Sequence, residues 1–143
     1  MKIGYTTGVF DMFHVGHLRI LKQARTLCDH LIVGVSSDSL VEKYKKKLPI
    51  IPLTDRMEIL SSIKYVDKVI VQESRDKYQA FKDIGYNIMF VGDDWKGDPL
   101  FTEIERKLTL EGAEVVYFPY SKHVSSTQLT QVLQSIEDRG EGL

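Results

Sequence analysis

Two of the chain's four histidines, His14 and His17, stand three positions apart with Gly16 between them. They close the segment Thr7-Gly8-Val9-Phe10-Asp11-Met12-Phe13. Residues 2–6 before it read as a strand. Residues 15–27 after it carry apolar side chains at 15, 18, 20, 21, 24 and 27, the spacing of one helical face. Side chains three apart at a helix start can face one side. Gly8 permits a tight turn and a close backbone approach to a ligand. Gly16 leaves room for a chain of phosphates. The helix start adds exposed N–H groups and the positive end of the helix dipole. The chemistry on offer is anion binding and stabilisation of negative charge. Two unrelated histidines are the plain alternative, and their grouping around a glycine at a strand–helix junction weighs against it. Zinc ligation needs at least a third ligand, and none has suitable local spacing. A Ser-His-Asp hydrolase lacks its G-x-S-x-G elbow.

Further groups suit the same chemistry. Lys43, Lys45, Lys46 and Lys47 cluster after a second apolar run at 30–36; they read either as a solvated helix end or as phosphate contacts. Arg56 falls in the first turn of an expected helix, a poor place for a purely structural cation. A nearby anionic ligand would explain it, as would a salt bridge. Gly92-Asp93-Asp94-Trp95 follows another apolar run, and its carboxylates can accept from amino or backbone N–H groups. Ser125-Ser126-Thr127 opens the last amphipathic stretch, where hydroxyls serve as helix caps or as phosphate donors.

These residues must be positioned by the elements between them. Short apolar runs alternate with amphipathic stretches: strands at 2–6, 30–36, 69–71, 87–91 and 113–118, and helices at 15–27, 38–46, 56–64, 76–84, 100–110 and 126–136. Thr54-Asp55 is the expected N-cap of the third helix, Gly85 ends the fourth, and Pro49 and Pro52 keep the segment between the second and third helices extended. The alternation predicts an α/β fold, a Rossmann-like doubly wound parallel sheet of about five strands in a single domain over 1–136. The polar, Gly-rich 137–143 is expected to fray. Ligands of such sheets bind at the carboxyl ends of the strands, which singles out the loops at 7–17, 36–52, 72–77, 92–99 and 119–127.

The 143 residues carry 19 Lys+Arg against 20 Asp+Glu, a net charge of −1, with 43% hydrophobic residues. That is the composition of a soluble globular domain, not of a nucleic-acid coat or polybasic membrane binder. No nucleic-acid or membrane partner is expected. The single Cys28 excludes a disulfide framework and a Cys-rich zinc module, and a reducing cytoplasm is the simplest compartment. No apolar run reaches the ~18 residues of a membrane span.

At His14 and His17 the chain resembles the HxGH nucleotidyltransferase superfamily. Within it, the chain is similar to the cytidylyltransferases, most of all the bacterial glycerol-3-phosphate cytidylyltransferases. The resemblance runs from Ile3 to about Leu133, through the Gly-Val-Phe-Asp lead-in, Gly34-Val35-Ser36-Ser37-Asp38, Arg56, Tyr65-Val66-Asp67, Gly92-Asp93-Asp94-Trp95 and Ser125-Ser126-Thr127. It implies transfer of CMP from CTP to a phosphorylated alcohol, with sn-glycerol 3-phosphate first among acceptors and another polyol or amino-alcohol phosphate as the alternative. It implies His14, His17, Lys45 and Arg56 as catalytic. It places Gly8, Val9, Phe10, Gly16, Lys47, Gly92, Asp94, Tyr120, Ser125, Ser126 and Thr127 with the two histidines around the nucleotide. Asp11, Lys45, Lys77 and Trp95 fall to the acceptor, and Mg²⁺ accompanies the nucleotide phosphates without a protein cage. Tyr120 stands where the family's R-T-x-G-I-S-T-T block has its arginine. Val9 and Tyr120 lean toward an ATP-using sugar-phosphate enzyme of the heptose type, and residues 92–95 lean against it. A rival of another class is a catalytically silent nucleotide-binding module. By resemblance the assembly is a homodimer.

Overall fold

A computed structural model describes residues 1–92 and 96–119. Chain order is β1 (Ile3–Gly8), α1 (Val15–Thr26), β2 (His30–Ser36), α2 (Asp38–Lys45), α3 (Leu53–Ser61), β3 (Lys68–Gln72), α4 (Lys77–Ile84), β4 (Ile88–Gly92), α5 (Pro99–Leu110) and β5 (Glu114–Phe118). The helix expected over 126–136 and the tail at 137–143 lie outside the described residues.

The strands read as buried on both faces because their apolar side chains alternate between two cores. In β2, Leu31, Val33 and Val35 join Leu21 and Ala24 of α1 and Leu60 of α3 in one core; Ile32 points the other way. In β4, Ile88 and Phe90 go with the first core, while Met89 joins Phe101 and Leu108 of α5 in the second. One sheet is thus sandwiched between α1 and α3 on one face and α4 and α5 on the other. Its order is β3-β2-β1-β4-β5, every pair parallel. The order runs outward in both directions from the β1–β4 pair. That pair is the topological switch point, where loops diverge to opposite faces and leave a crevice at the carboxyl ends.

Local chemistry sets the boundaries. Asp76 caps α4 by accepting from the N–H groups of Tyr78 and Gln79, and Gly85 ends that helix at φ 76°. Asp98 caps α5, with Pro99 at its first turn. One expectation is corrected. Helix α3 starts at Leu53 with Pro52 as its N-cap and no side-chain cap bond, so Thr54 and Asp55 lie inside the first turn. The fixed φ of Pro52 pre-sets the chain's entry, and Asp55 meets the positive helix end instead of capping it. Among the described residues no helix is long and apolar enough to cross a membrane.

Candidate active site

The switch-point crevice is a cleft of about 600 Å³ lined by the ends of β1, β2, β3 and β4 and by α1, α2 and α5. His14 and His17 form its floor. His14 is the N-cap of α1: its Nδ1 accepts the Gly16 N–H at 3.0 Å, while its own N–H donates to His17 Nδ1 at 3.2 Å. The two rings stack with centroids 4.0 Å apart. Each Nδ1 is an acceptor here, so each neutral ring carries its proton on Nε2. The reciprocal cap thereby turns both histidines into Nε2–H donors. The Nε2 of His14 is sealed from solvent and has no hydrogen-bond partner among the described residues, an arrangement that asks for a ligand. Burial pushes both imidazoles down, His17 to about 4, with the neighbouring His14 adding to the effect.

Neutrality of His17 gives an acid-sensitivity prediction. Its ordinary value is 6.5 and its folded value about 4. Between these the unfolded chain binds a proton that the folded chain refuses, so stability falls as pH falls through that window. Thermal melts from pH 7 to 4.5 are expected to show the slope of stability against pH reduced by about one proton in His17→Asn relative to wild type.

The β1–α1 loop that carries these rings is strained. Phe10 and Met12 have φ of 55° and 52°, the left-handed region, at a cost on the order of 1–3 kcal/mol each. The turn therefore falls on Phe10 and Met12 rather than on Gly8. Gly8 instead lets the Phe10 ring come close, since a Cβ there would sit 3.0 Å from it. Phe10 meets the His17 ring edge-on at 5.4 Å and Phe13 lies tilted against it at 5.3 Å, which fixes the imidazole from two sides.

Two side chains hold the loop in this shape. Arg56 is 1% exposed. Its Nε donates to the Ile51 carbonyl at 2.8 Å, one terminal nitrogen to the carbonyls of Val9 and Ser36 at 2.8 Å, and the other to Asp38 at 2.6 Å. It does not line the cleft. The expectation of a catalytic Arg56 is corrected: its charge meets Asp38 and three backbone carbonyls, and the side chain ties the ends of β1 and β2 to the start of α3. Asp11 lines the cleft, but its two carboxylate oxygens accept the N–H groups of Ile50 and Ile51 at 2.9 and 2.8 Å. It pins the loop after α2 against the first loop, a structural role beside the one expected toward the acceptor.

The opposite wall is cationic. Lys45 and Lys47 line the cleft, and Lys43 and Lys46 are not among its lining residues. Lys46, at φ 62°, ends α2 and turns the chain between Lys45 and Lys47. Lys77 also lines the cleft, at the first position of α4. Burial, with repulsion from Arg75, pulls its ammonium down to about 7. Gly8, Val9, Phe10, Gly16 and Gly92 all border the same space. Asp94, Trp95, Tyr120, Ser125, Ser126 and Thr127 lie outside the described residues.

Ser36, Tyr44, Gln72 and Arg75 also line the cleft; the sequence singled out their loops, 36–52 and 72–77, without giving these four a role. The Arg75 guanidinium sits 4.6 Å over the Tyr44 ring, bridging α2 and the loop after β3. Ser36 and Gln72 left a faint signal, each being a polar residue that closes an apolar strand on the ligand side.

A cleft with paired neutral donors on one side and lysines on the other can hold a polyanion and spread its charge while it reacts. On a doubly wound sheet with the cleft at its switch point, this marks an α/β enzyme of nucleotide transfer. The Cytidylyltransferase-like family model matches residues 5–135, and the chain belongs to that family of nucleotidyltransferases. Over 132 residues it is 35% identical to the FAD synthase of Thermococcus sibiricus, covering 92% of this chain and 89% of that protein. Over 138 residues it is 33% identical to the glycerol-3-phosphate cytidylyltransferase of Bacillus subtilis, covering 95% of this chain and 100% of the relative. The crystal structure of the lipopolysaccharide core biosynthesis protein from Thermoplasma volcanium superposes with a TM-score of 0.71 at 31% identity, over 87% of this chain and 99% of that one.

Proposed function

We propose that the chain transfers CMP from CTP to a phosphorylated alcohol, sn-glycerol 3-phosphate, releasing pyrophosphate. The observation that carries this reading is a pair of neutral histidines, each with its Nδ1 held by a backbone N–H, lining one cleft together with Lys45, Lys47 and Lys77. The acceptor's phosphate is already ionised near pH 7, its second pKa being ~6. One of its oxygens attacks the α-phosphorus in line, a new P–O bond forms, the bond to the bridging oxygen breaks, and pyrophosphate leaves with the electron pair. No proton has to be removed first, so neither a general base nor a covalent nucleophile is required. The barrier is an anion approaching an anion, and catalysis rests on positioning and charge neutralisation. His14 and His17 donate to the bridging and α-phosphate oxygens, and Lys45, Lys47 and Lys77 screen donor and acceptor phosphates. Asp11 is engaged by two backbone N–H groups, so the residues here fit a Mg²⁺ ion that arrives on the nucleotide; when bound it neutralises charge on the pyrophosphate.

The finer choice of CTP and glycerol 3-phosphate is supported by the end-to-end likeness to the Bacillus subtilis protein. A second reading, a ring-bearing acceptor such as flavin mononucleotide with ATP, is favoured by Leu40, Val41, Tyr44 and Leu48, which give the acceptor side an apolar and aromatic stretch. Pyrophosphate release is measured with CTP or ATP against glycerol 3-phosphate, flavin mononucleotide, phosphocholine and a heptose 1-phosphate. Turnover is expected to be highest for CTP with glycerol 3-phosphate. Preference for flavin mononucleotide replaces this reading with the second, and nucleotide-dependent thermal stabilisation without any pyrophosphate release means a silent binding module. A homodimer belongs to the same proposal: edge strand β3, with Val71 exposed, is open to a partner, and sedimentation as a monomer at micromolar concentration would refute it.

A further inference from the structure

Gln72 is the last residue of β3 and is 8% exposed. In register beside it on β2 is Ser36, 6% exposed. With Lys77 as the ammonium, Nζ can only donate, and the atom it meets is the Gln72 carbonyl Oε1. Nε2 then donates to Ser36 Oγ at 3.0 Å. Ser36, Gln72 and Lys77 form a buried chain across two strands and a helix start, and it ends at an ammonium group on the cleft wall.

The notable property of this chain is its neutrality. Among the described residues no carboxylate makes a salt bridge to Lys77. Its hydrogen-bond partner is an uncharged amide. Among the described residues the charged groups facing it include Asp98, which lines the cleft and caps α5 through the Phe101 N–H, and those that follow. Arg75 repels it from the loop after β3. Asp76 attracts it, but that carboxylate is engaged by the N–H groups of Tyr78 and Gln79. Lys45 and Lys47 of the α2 side, and His14, His17 and Asp11 of the β1–α1 side, line the same cleft. Asp11 is held by Ile50 and Ile51. Among the described residues no carboxylate is committed to Lys77, and a ligand anion can supply its counter-charge.

We propose that Gln72 is the positioning residue for Lys77, holding it uncompensated so that a dianionic phosphate monoester supplies its counter-charge and binds with uptake of a proton. This rests on the proposed function, whose acceptor is already a phosphate monoester, and adds the residue that holds Lys77 ready for it. Burial and Arg75, which pull the Lys77 ammonium down to about 7, agree with it. A dianion acts in the opposite direction, since an opposite charge in contact favours the protonated amine.

The test variant is Gln72→Glu. A carboxylate there keeps both links, accepting from Lys77 and from the Ser36 hydroxyl, and adds only a negative charge. Its melting temperature is expected to equal or exceed that of the wild type. Inorganic phosphate is titrated calorimetrically at pH 8 in two buffers of different ionisation enthalpy. Wild type is expected to take up a proton on binding. Gln72→Glu and Lys77→Met are expected to bind phosphate about tenfold more weakly or worse, as for loss of one charge-assisted hydrogen bond, and to take up none. Equal affinity in wild type and Gln72→Glu, or binding without proton uptake in wild type, overturns the proposal. In turnover, Gln72→Glu should raise KM for the acceptor and leave KM for the nucleotide within about twofold; equal rises in both also overturn it. Failure of CTP and glycerol 3-phosphate as substrates appears in wild-type turnover and leaves the phosphate titration intact, so the two ideas fail separately.

Discussion

Replacing His14 or His17 by alanine is expected to lower kcat by about 10²–10³, the size of losing one preorganised donor at a developing negative charge. The reason lies in the paired cap. Each Nδ1 is held by a backbone N–H, so each ring presents Nε2–H with a fixed direction and without a rotamer search. His14 also caps α1, and its loss costs the fold about 1 kcal/mol in addition. His14→Asn separates the two roles, since asparagine caps a helix well and brings no donor to the Nε2 position. It is expected to melt near the wild type and to share the loss of kcat. Pyrophosphate-release rates under saturating substrate decide the matter, and near wild-type turnover of either alanine variant would sink the mechanism.

Arg56→Met is expected to destabilise the fold by roughly 3 kcal/mol or more, because it strands buried carbonyls and half of an ion pair. The Ile51, Val9 and Ser36 carbonyls lose their donor together, and Asp38, 40% exposed, turns to water. For a chain of this length that corresponds to a fall of about 10 °C in Tm. Arg56→Lys is expected to recover little of it, since an ammonium cannot reproduce the planar fork that serves four acceptors. Activity should fall with folding, because the Val9 carbonyl belongs to the strained loop that presents the histidines. An Arg56→Lys variant with wild-type Tm and lost activity would return Arg56 to direct contact with substrate.

The fold was largely legible from periodicity. Buried parallel strands require apolar runs, and covering helices require one apolar face, so Leu31, Val33 and Val35 against Leu21, Ala24 and Leu60 announce themselves in one dimension. Their boundaries agree within one or two residues, except at α3, expected over 56–64 and found over Leu53–Ser61, where Pro52 starts the helix ahead of Thr54 and Asp55. The motif at His14 and His17, the lysines at 45, 47 and 77, and the strand ends that face them could be read in the same way, because residue type and spacing carry their chemistry. The roles of Arg56 and Asp11 could not. A buried arginine satisfied by carbonyls and one satisfied by phosphate look identical as letters, and the partners of Arg56 lie up to 47 positions away. Gln72 left only a faint signal for the same reason, since its meaning depends on Ser36 across the sheet, 36 positions earlier.

By itself, then, the sequence determined the parallel sheet, the loops at its carboxyl ends, and a net charge of −1 that conceals a local cationic wall. Those follow from local patterns of apolar spacing and charge. Only the tertiary structure decided which cations face the cleft, on which nitrogen each histidine keeps its proton, and that the turn strain rests on Phe10 and Met12. These depend on which backbone groups meet which side chains across the sheet, and the hydrogen bonds and desolvation that settle them arise once the strands have packed side by side.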